Sequence, residues 1–130
     1  MGYRLSITRG AQDDFATCQR QDKCAAADIT VLLRELEQDA KFLECMIDED
    51  YSDARIENVA PVRKLIAIRI NGYRVKLREC RYWRMIFIVD RRTAQIGLFA
   101  IMRRDQNYER DTTLWQRIER EFDAHGFSKF

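Results

Sequence analysis

Residues 64–89 run KLIAIRINGYRVKLRECRYWRMIFIV, with apolar residues at alternate positions on both sides of an Asn-Gly pair. Ile66, Ile68 and Ile70 alternate with other residues, as do Tyr73, Val75 and Leu77, and Asn71-Gly72 stands between the two runs. Asn-Gly between alternating apolar runs is a strong hairpin signal, because both residues tolerate positive φ. The stretch therefore predicts two strands joined at Asn71-Gly72 and a third from about Trp83 to Val89. Side chains alternate along a strand with period two, so Arg74, Lys76 and Arg78 fall on one face of the second of these strands.

Towards the C-terminus, Asp90-Arg91-Arg92-Thr93 reads as a turn and Gln95 to Met102 as a further strand. The last two strands are apolar on both faces over much of their length, which predicts cover on both sides of the sheet. A final helix starts near Asp111 or Thr112. Thr113 with Gln116 suggests a capping box, Leu114, Trp115, Ile118 and Phe122 form an apolar stripe, and Gly126 ends the helix. Towards the N-terminus, Tyr3, Leu5 and Ile7 alternate as in a strand. Thr8 caps a short helix with Ala11, Phe15 and Cys18 on one face. Asp28 reads as the N-cap of a longer helix whose stripe runs Ile29, Leu32, Leu33, Leu36, Ala40, Leu43 and Ile47. The run Asp48-Glu49-Asp50 reads as a solvated loop beyond it. Segregated helices and hairpin-linked strands predict an α+β fold. It is an antiparallel sheet of four to five strands with an N-terminal helical pair on one face and a C-terminal helix.

The 130 residues suit one domain with one core, spanning 1–130. One Pro and five Gly argue against linkers and disorder. No run approaches the ~20 apolar residues of a membrane span, which predicts no membrane partner. MGYRLSITRG lacks the apolar core of a signal peptide, so a cytoplasmic location is expected. Cys18, Cys24, Cys45 and Cys80 form no CxxC pair and His125 is the only histidine, so no metal and no other cofactor is expected.

The charge is unevenly placed. Residues 74–110 hold ten Lys and Arg against four Asp and Glu, whereas residues 1–73 hold ten against thirteen. Nine of the ten cations in the basic stretch are arginine, which grips phosphate or carboxylate with defined geometry. The pattern points to nucleic acid or an acidic protein partner. Arg74, Lys76, Arg78, Arg84, Arg103, Arg104 and Tyr108 come from three consecutive strands and the segment after them, and an antiparallel sheet can gather them on one concave surface. Arginines there can offset charge developing on a phosphate. A Lys or Tyr can move a proton if its pKa falls from ~10 toward neutrality, which nearby cations promote. On the residues alone, simple anion binding is favoured over catalysis.

Tyr73-Arg74-Val75-Lys76-Leu77-Arg78, then Tyr82-Trp83-Arg84-Met85-Ile86-Phe87, Ile96 to Ile101, and Met102-Arg103-Arg104-Asp105-Gln106-Asn107-Tyr108 together resemble the RelE/ParE toxin superfamily. Leu5-Ser6-Ile7-Thr8, Ala11 and Phe15 are similar to its opening strand and first helix. The resemblance covers roughly the whole chain and is specific over residues 73–108. It implies the toxin of a type II toxin–antitoxin pair, in the RelE-like branch. Such a toxin is a ribosome-dependent endoribonuclease that cuts mRNA in the ribosomal A site, with the RNA 2′-OH attacking its own phosphate. The implied partners are a cognate antitoxin, the ribosome and mRNA. By position, the resemblance assigns Lys76 or Tyr108 to proton transfer and Arg84 and Arg104 to phosphate stabilisation; Arg74, Arg78 and Arg103 of the basic stretch are the expected RNA-binding cations. Many members carry a histidine where this chain has Met102-Arg103. The link from Ile47 to Lys64 and the tail beyond Gly126 are longer than the family pattern. The same fold hosts ParE-like DNA gyrase inhibitors, so a gyrase inhibitor and a non-catalytic basic binding domain are the alternative readings.

Overall fold

The strand Trp83–Asp90 (β4) organises the molecule, because every residue of it except Arg84 is buried. In the computed structural model, residues 2–106 and 108–130 are described. The chain order is β1 (Arg4–Ile7), α1 (Arg9–Gln21), α2 (Lys23–Gln38), α3 (Ala40–Cys45), β2 (Ile56–Pro61), α4 (Arg63–Ala67), β3 (Gly72–Leu77), β4, β5 (Gln95–Arg103), a 3₁₀ turn (Tyr108–Arg110) and α5 (Thr112–Ala124). The five strands form one sheet in the order β1-β5-β4-β3-β2. β2 to β5 pair antiparallel with their neighbours, while β1 runs parallel to β5, so the sheet is mixed. The fold is α+β, with the N-terminal helices on one face and the C-terminal helix on the other.

Alternation along β4 produces two cores. Trp83, Met85, Phe87 and Val89 pack with residues of α1, α2 and α3, including Ile29, Leu32, Leu36 and Leu43. Ile86 and Ile88 face the other way and pack with Phe99, Leu65 of α4, and Leu114, Trp115, Ile118 and Phe122 of α5. Each such side chain, fully buried, contributes roughly 1.5–3 kcal/mol relative to exposure. Cys18 and Cys80 are buried free thiols. Burial pushes Cys18 up to about 11, and burial with the Asp28 hydrogen bond pushes Cys80 up to about 12. No described helix is long and apolar enough to cross a membrane.

The expected strand at residues 64–70 does not form. Leu65, Val62 and Ile70 are the buried residues here, while Ile66 is exposed and Ile68 half-buried. The chain makes the short helix α4, then turns through Arg69 at φ 65°. β3's partner on that side is β2, read from sequence as part of a link. Gly72 is therefore not a hairpin residue; a Cβ there would lie 2.4 Å from Leu65 Cδ1, so it lets α4 pack against the sheet.

The long helix also starts and ends elsewhere than expected. Asp22, not Asp28, caps α2: its side chain accepts from the Ala25 N–H, and its own N–H closes α1 on the Cys18 carbonyl at 2.7 Å. Lys23 to Ala27 favour helix strongly enough to carry it across Asp28. Asp39 breaks the stripe towards Ile47, accepting from the N–H groups of Lys41 and Phe42 to start α3. At α5 the cap is Asp111, which accepts from Leu114 N at 3.0 Å in place of the Thr113–Gln116 box. Thr8 caps α1, and Gly126 follows α5 at φ 70°, both as expected.

Candidate functional site

Arg74 and Lys76 lie on the face of β3 opposite Val75, and the ladder sets their neighbours. Lys76 pairs with Arg84 on one side and Asn58 on the other, and Arg84 in turn pairs with Met102. Arg74, two residues back, pairs with Ile86. Lys76–Arg84 is the last rung between β3 and β4. α4 and α5 cover the rungs from Ile86 onward, so this end of the sheet face stays open and Arg84 is the one β4 side chain left half-buried.

Like charges directly opposite on a ladder repel. Among the described residues none of the ion pairs involves Arg74, Lys76, Arg84 or Arg104. Arg74 donates from Nη2 to Asn58 Oδ1 at 2.9 Å. The Nε groups of Arg74 and Arg84 are buried without a hydrogen-bond partner among the described residues. A buried donor left this way costs about 1–3 kcal/mol. Burial first, then the Arg74 and Arg84 charges, with Arg104 adding to them, hold the Lys76 ammonium below its ordinary pKa against the opposing pull of Glu57. Arg84 is lowered by burial and by Arg74 and Arg104, with Tyr108 acting in the other direction.

Arg104 lies just past β5 and is exposed. Its N–H donates to the Tyr82 carbonyl at 2.6 Å, which carries the β4–β5 pairing one step beyond Trp83–Arg103. Tyr108 opens the 3₁₀ turn, half-buried, with its ring edge-on to Trp115 at 6.1 Å. Trp115 belongs to the α5 core, so the phenol is anchored beside the basic face. Asn107, within the same motif, lies outside the described residues.

Two predicted members stand apart. β3 ends at Leu77 and the chain turns away, so the Arg78 N–H donates to the Arg55 carbonyl and its Nε to the Asp53 carbonyl at 2.7 Å. Arg78 is not among the charges that lower Lys76; Arg84 and Arg104 take the place expected for it. Arg103 pairs with Trp83, lies 6.0 Å from that ring, and bonds Asp105 at 3.1 Å. Trp83 packs on the α1–α3 side, so Arg103 sits on the opposite face of the sheet from Lys76. His125 is exposed at the end of α5, in ring contact with Phe99 and Phe127.

The structure adds two cations that sequence reasoning missed. Arg63 and Lys64 of α4, with Pro61, Val62, Arg74 and Tyr108, line a cleft of about 450 Å³ beside the Lys76–Arg84 rung. Lys64 Nζ lies 5.8 Å from the Trp115 ring centroid. Reading residues 64–70 as a strand hid them. The arrangement is the half-buried Lys76 beside Arg74, Arg84 and Arg104, none of which forms an ion pair with a carboxylate among the described residues, with Tyr108 at the rim. It can hold an anionic group and stabilise further negative charge on it. No protein-family model, curated protein or solved structure matches the chain.

Proposed function

We propose that the Lys76–Arg84 face is the active site of a ribosome-dependent endoribonuclease that cuts mRNA, the toxin of a toxin–antitoxin pair acting in the cytoplasm. The observation that carries this reading is the Lys76–Arg84 rung itself: two cations face each other across a ladder, with Arg74 and Arg104 adding to them. A fold keeps such a rung at a cost in stability, and groups whose pKa is shifted by burial and like charges gather at functional sites. The family resemblance supplies the ribosome, the message and the antitoxin as partners.

In this mechanism the substrate phosphodiester sits against Arg74, Arg84 and Arg104. Lys76, whose ammonium burial and the neighbouring arginines hold below its ordinary pKa, takes the proton of the 2′-OH in its unprotonated form as that oxygen bonds to phosphorus. The P–O5′ bond breaks, and Tyr108 gives the proton to the leaving oxygen. The products are a 2′,3′-cyclic phosphate and a 5′-hydroxyl. The arginines offset the charge that builds on the phosphoryl oxygens, a contribution of about 10²–10³ in rate for a single well-placed donor. Proton transfer adds about 10²–10⁴.

Purified protein added to a cell-free translation reaction tests this, with the 5′ ends of the message mapped. Cuts at codon-spaced positions that disappear when ribosomes are omitted support the proposal. An intact message with normal translation contradicts it.

A further inference from the structure

A second cleft, of about 550 Å³, opens between the start of α2 and the β3–β4 connection, at the same end of the sheet as the Lys76–Arg84 rung. Its lining is chemically mixed. Asp28 and Glu79 supply carboxylates, Arg81 and Arg104 supply guanidinium groups, and Tyr82 supplies an aromatic ring that is 67% exposed. Asp22 is part of the wall, its Oδ1 accepting from Ala25 N and its Oδ2 from Trp83 Nε1 at 3.2 Å. Asp28 Oδ2 accepts the Cys80 thiol at 3.2 Å. Glu79 is exposed and has no hydrogen bond or ion pair among the described residues.

Three carboxylates disfavour a phosphate here, and two guanidinium groups disfavour a simple cation. A flat, neutral ligand with both donors and acceptors fits both, and an exposed tyrosine offers it a face to stack on. Unpaired nucleobases are held in this way, by stacking and by hydrogen bonds to their edges. Of the four RNA bases, guanine alone presents two adjacent N–H donors suited to one carboxylate together with the O6 and N7 acceptors suited to an arginine fork. Adenine and cytosine place a ring-nitrogen acceptor where the carboxylate would lie, and uracil flanks its one N–H with carbonyls. Arg104 lines this cleft and also stands close to Lys76 and Arg84. A strand lying on the basic face reaches the cleft by passing Arg104.

We infer that the cleft bounded by Asp28, Glu79, Arg81, Tyr82 and Arg104 is a pocket for an unpaired guanine of the RNA that occupies the neighbouring basic face. The inference rests on the reading of that face as an RNA site. The pocket gives the protein a base preference that the phosphate-directed arginines cannot supply.

The test is nucleoside binding to the full chain, followed by ligand-observed NMR, with guanosine, inosine, adenosine, cytidine and uridine as probes. Guanosine is expected to bind best. Inosine keeps N1–H but lacks the 2-amino group, so it should bind roughly 10- to 100-fold more weakly, the range expected for one hydrogen bond to a charged group. Glu79→Gln and Tyr82→Ala change exposed side chains, and each should weaken guanosine binding while the thermal midpoint holds. Equal binding of all five nucleosides, no binding of guanosine, or guanosine binding unchanged in both variants would overturn the inference. The probes carry no phosphate and the assay no ribosome, so failure here is distinct from failure of the nuclease reading. Cleavage without guanosine binding removes the pocket alone, and guanosine binding without cleavage removes the nuclease alone.

Discussion

Lys76 and Arg84 are directly opposed on the terminal rung of the β3–β4 ladder, and no acidic side chain among the described residues forms an ion pair with either. Opposed like charges on a ladder destabilise by roughly 0.2–1 kcal/mol. Replacing one with an apolar side chain of similar length should therefore stabilise the fold while removing its chemistry. Lys76→Met is expected to raise the thermal midpoint by about 2–4 °C at neutral pH and to lower cleavage by about 10² or more. Calorimetry and a cleavage assay on the same preparation check both halves. A variant that is both less stable and fully active would contradict the assignment.

The pH dependence follows from the lowered Lys76 pKa. A lysine whose folded pKa lies below its unfolded value costs the folded state stability while it is protonated. That cost is relieved as pH rises through the folded pKa. The stability advantage of Lys76→Met should thus be present at neutral pH and shrink above the folded pKa of Lys76. Cleavage by the wild-type protein should rise with pH and level off below the ordinary lysine value of about 10.4. NMR titration of the Lys76 side chain gives the midpoint. In Arg84→Met that midpoint should move up, because one of the charges that lowers it is gone.

Asp14 is the knot between α1, β5 and α5. It takes two hydrogen bonds from Arg117, at 3.0 and 2.9 Å, and a third from the Ile101 N–H at 3.0 Å. Arg117 also donates to the Phe99 carbonyl. Asp14→Ala removes the acceptor of the Ile101 N–H and of two Arg117 bonds, leaving Arg117 the Phe99 carbonyl and its ion pair with Glu121 at 3.6 Å. The expected loss is about 2 kcal/mol, below the 3–5 kcal/mol of a fully buried pair because both side chains keep some exposure. Urea unfolding measures it. A loss under a few tenths of a kcal/mol would show that the knot is incidental.

Gly72→Ala places a methyl group 2.4 Å from Leu65 Cδ1, and Leu65 is fully buried. Overpacking at such a site costs typically 1–3 kcal/mol. Unfolding of Gly72→Ala with Leu65→Ala as the second arm of a double-mutant cycle should show partial compensation, because the smaller side chain clears the added methyl.

Strands with regular alternation were legible in the sequence, and β1, β4 and β5 lie where their patterns place them. β2 was not, for a physical reason. The ladder slips between Ile56 and Asn58, so the two buried residues Ile56 and Val59 stand three apart and no period of two appears. Ile66, Ile68 and Ile70 presented that period in a segment that forms the short helix α4 and a turn, where Val62, Leu65 and Ile70 are buried, Ile66 is exposed and Ile68 is half-buried. At the site, alternation placed Arg74 and Lys76 on one face of β3, whereas the Lys76–Arg84 rung depends on the β3–β4 register, which alternation does not give. Arg78 followed the same rule on paper, but β3 ends one residue earlier. Arg103 was misplaced because adjacent residues on a strand point to opposite faces, and its partner Trp83 belongs to the α1–α3 core. The cleft residues Arg63 and Lys64 depended on α4 and were hidden with it.

The most direct test of the central claim is the single-turnover rate of cleavage of ribosome-bound message by wild-type protein and Arg84→Met, with thermal midpoints taken from the same samples. Arg84→Met should cleave more slowly by about 10²–10³ while melting at the wild-type temperature or above it. Equal rates in two equally folded proteins would contradict the claim that the Lys76–Arg84 rung is where the phosphate reacts.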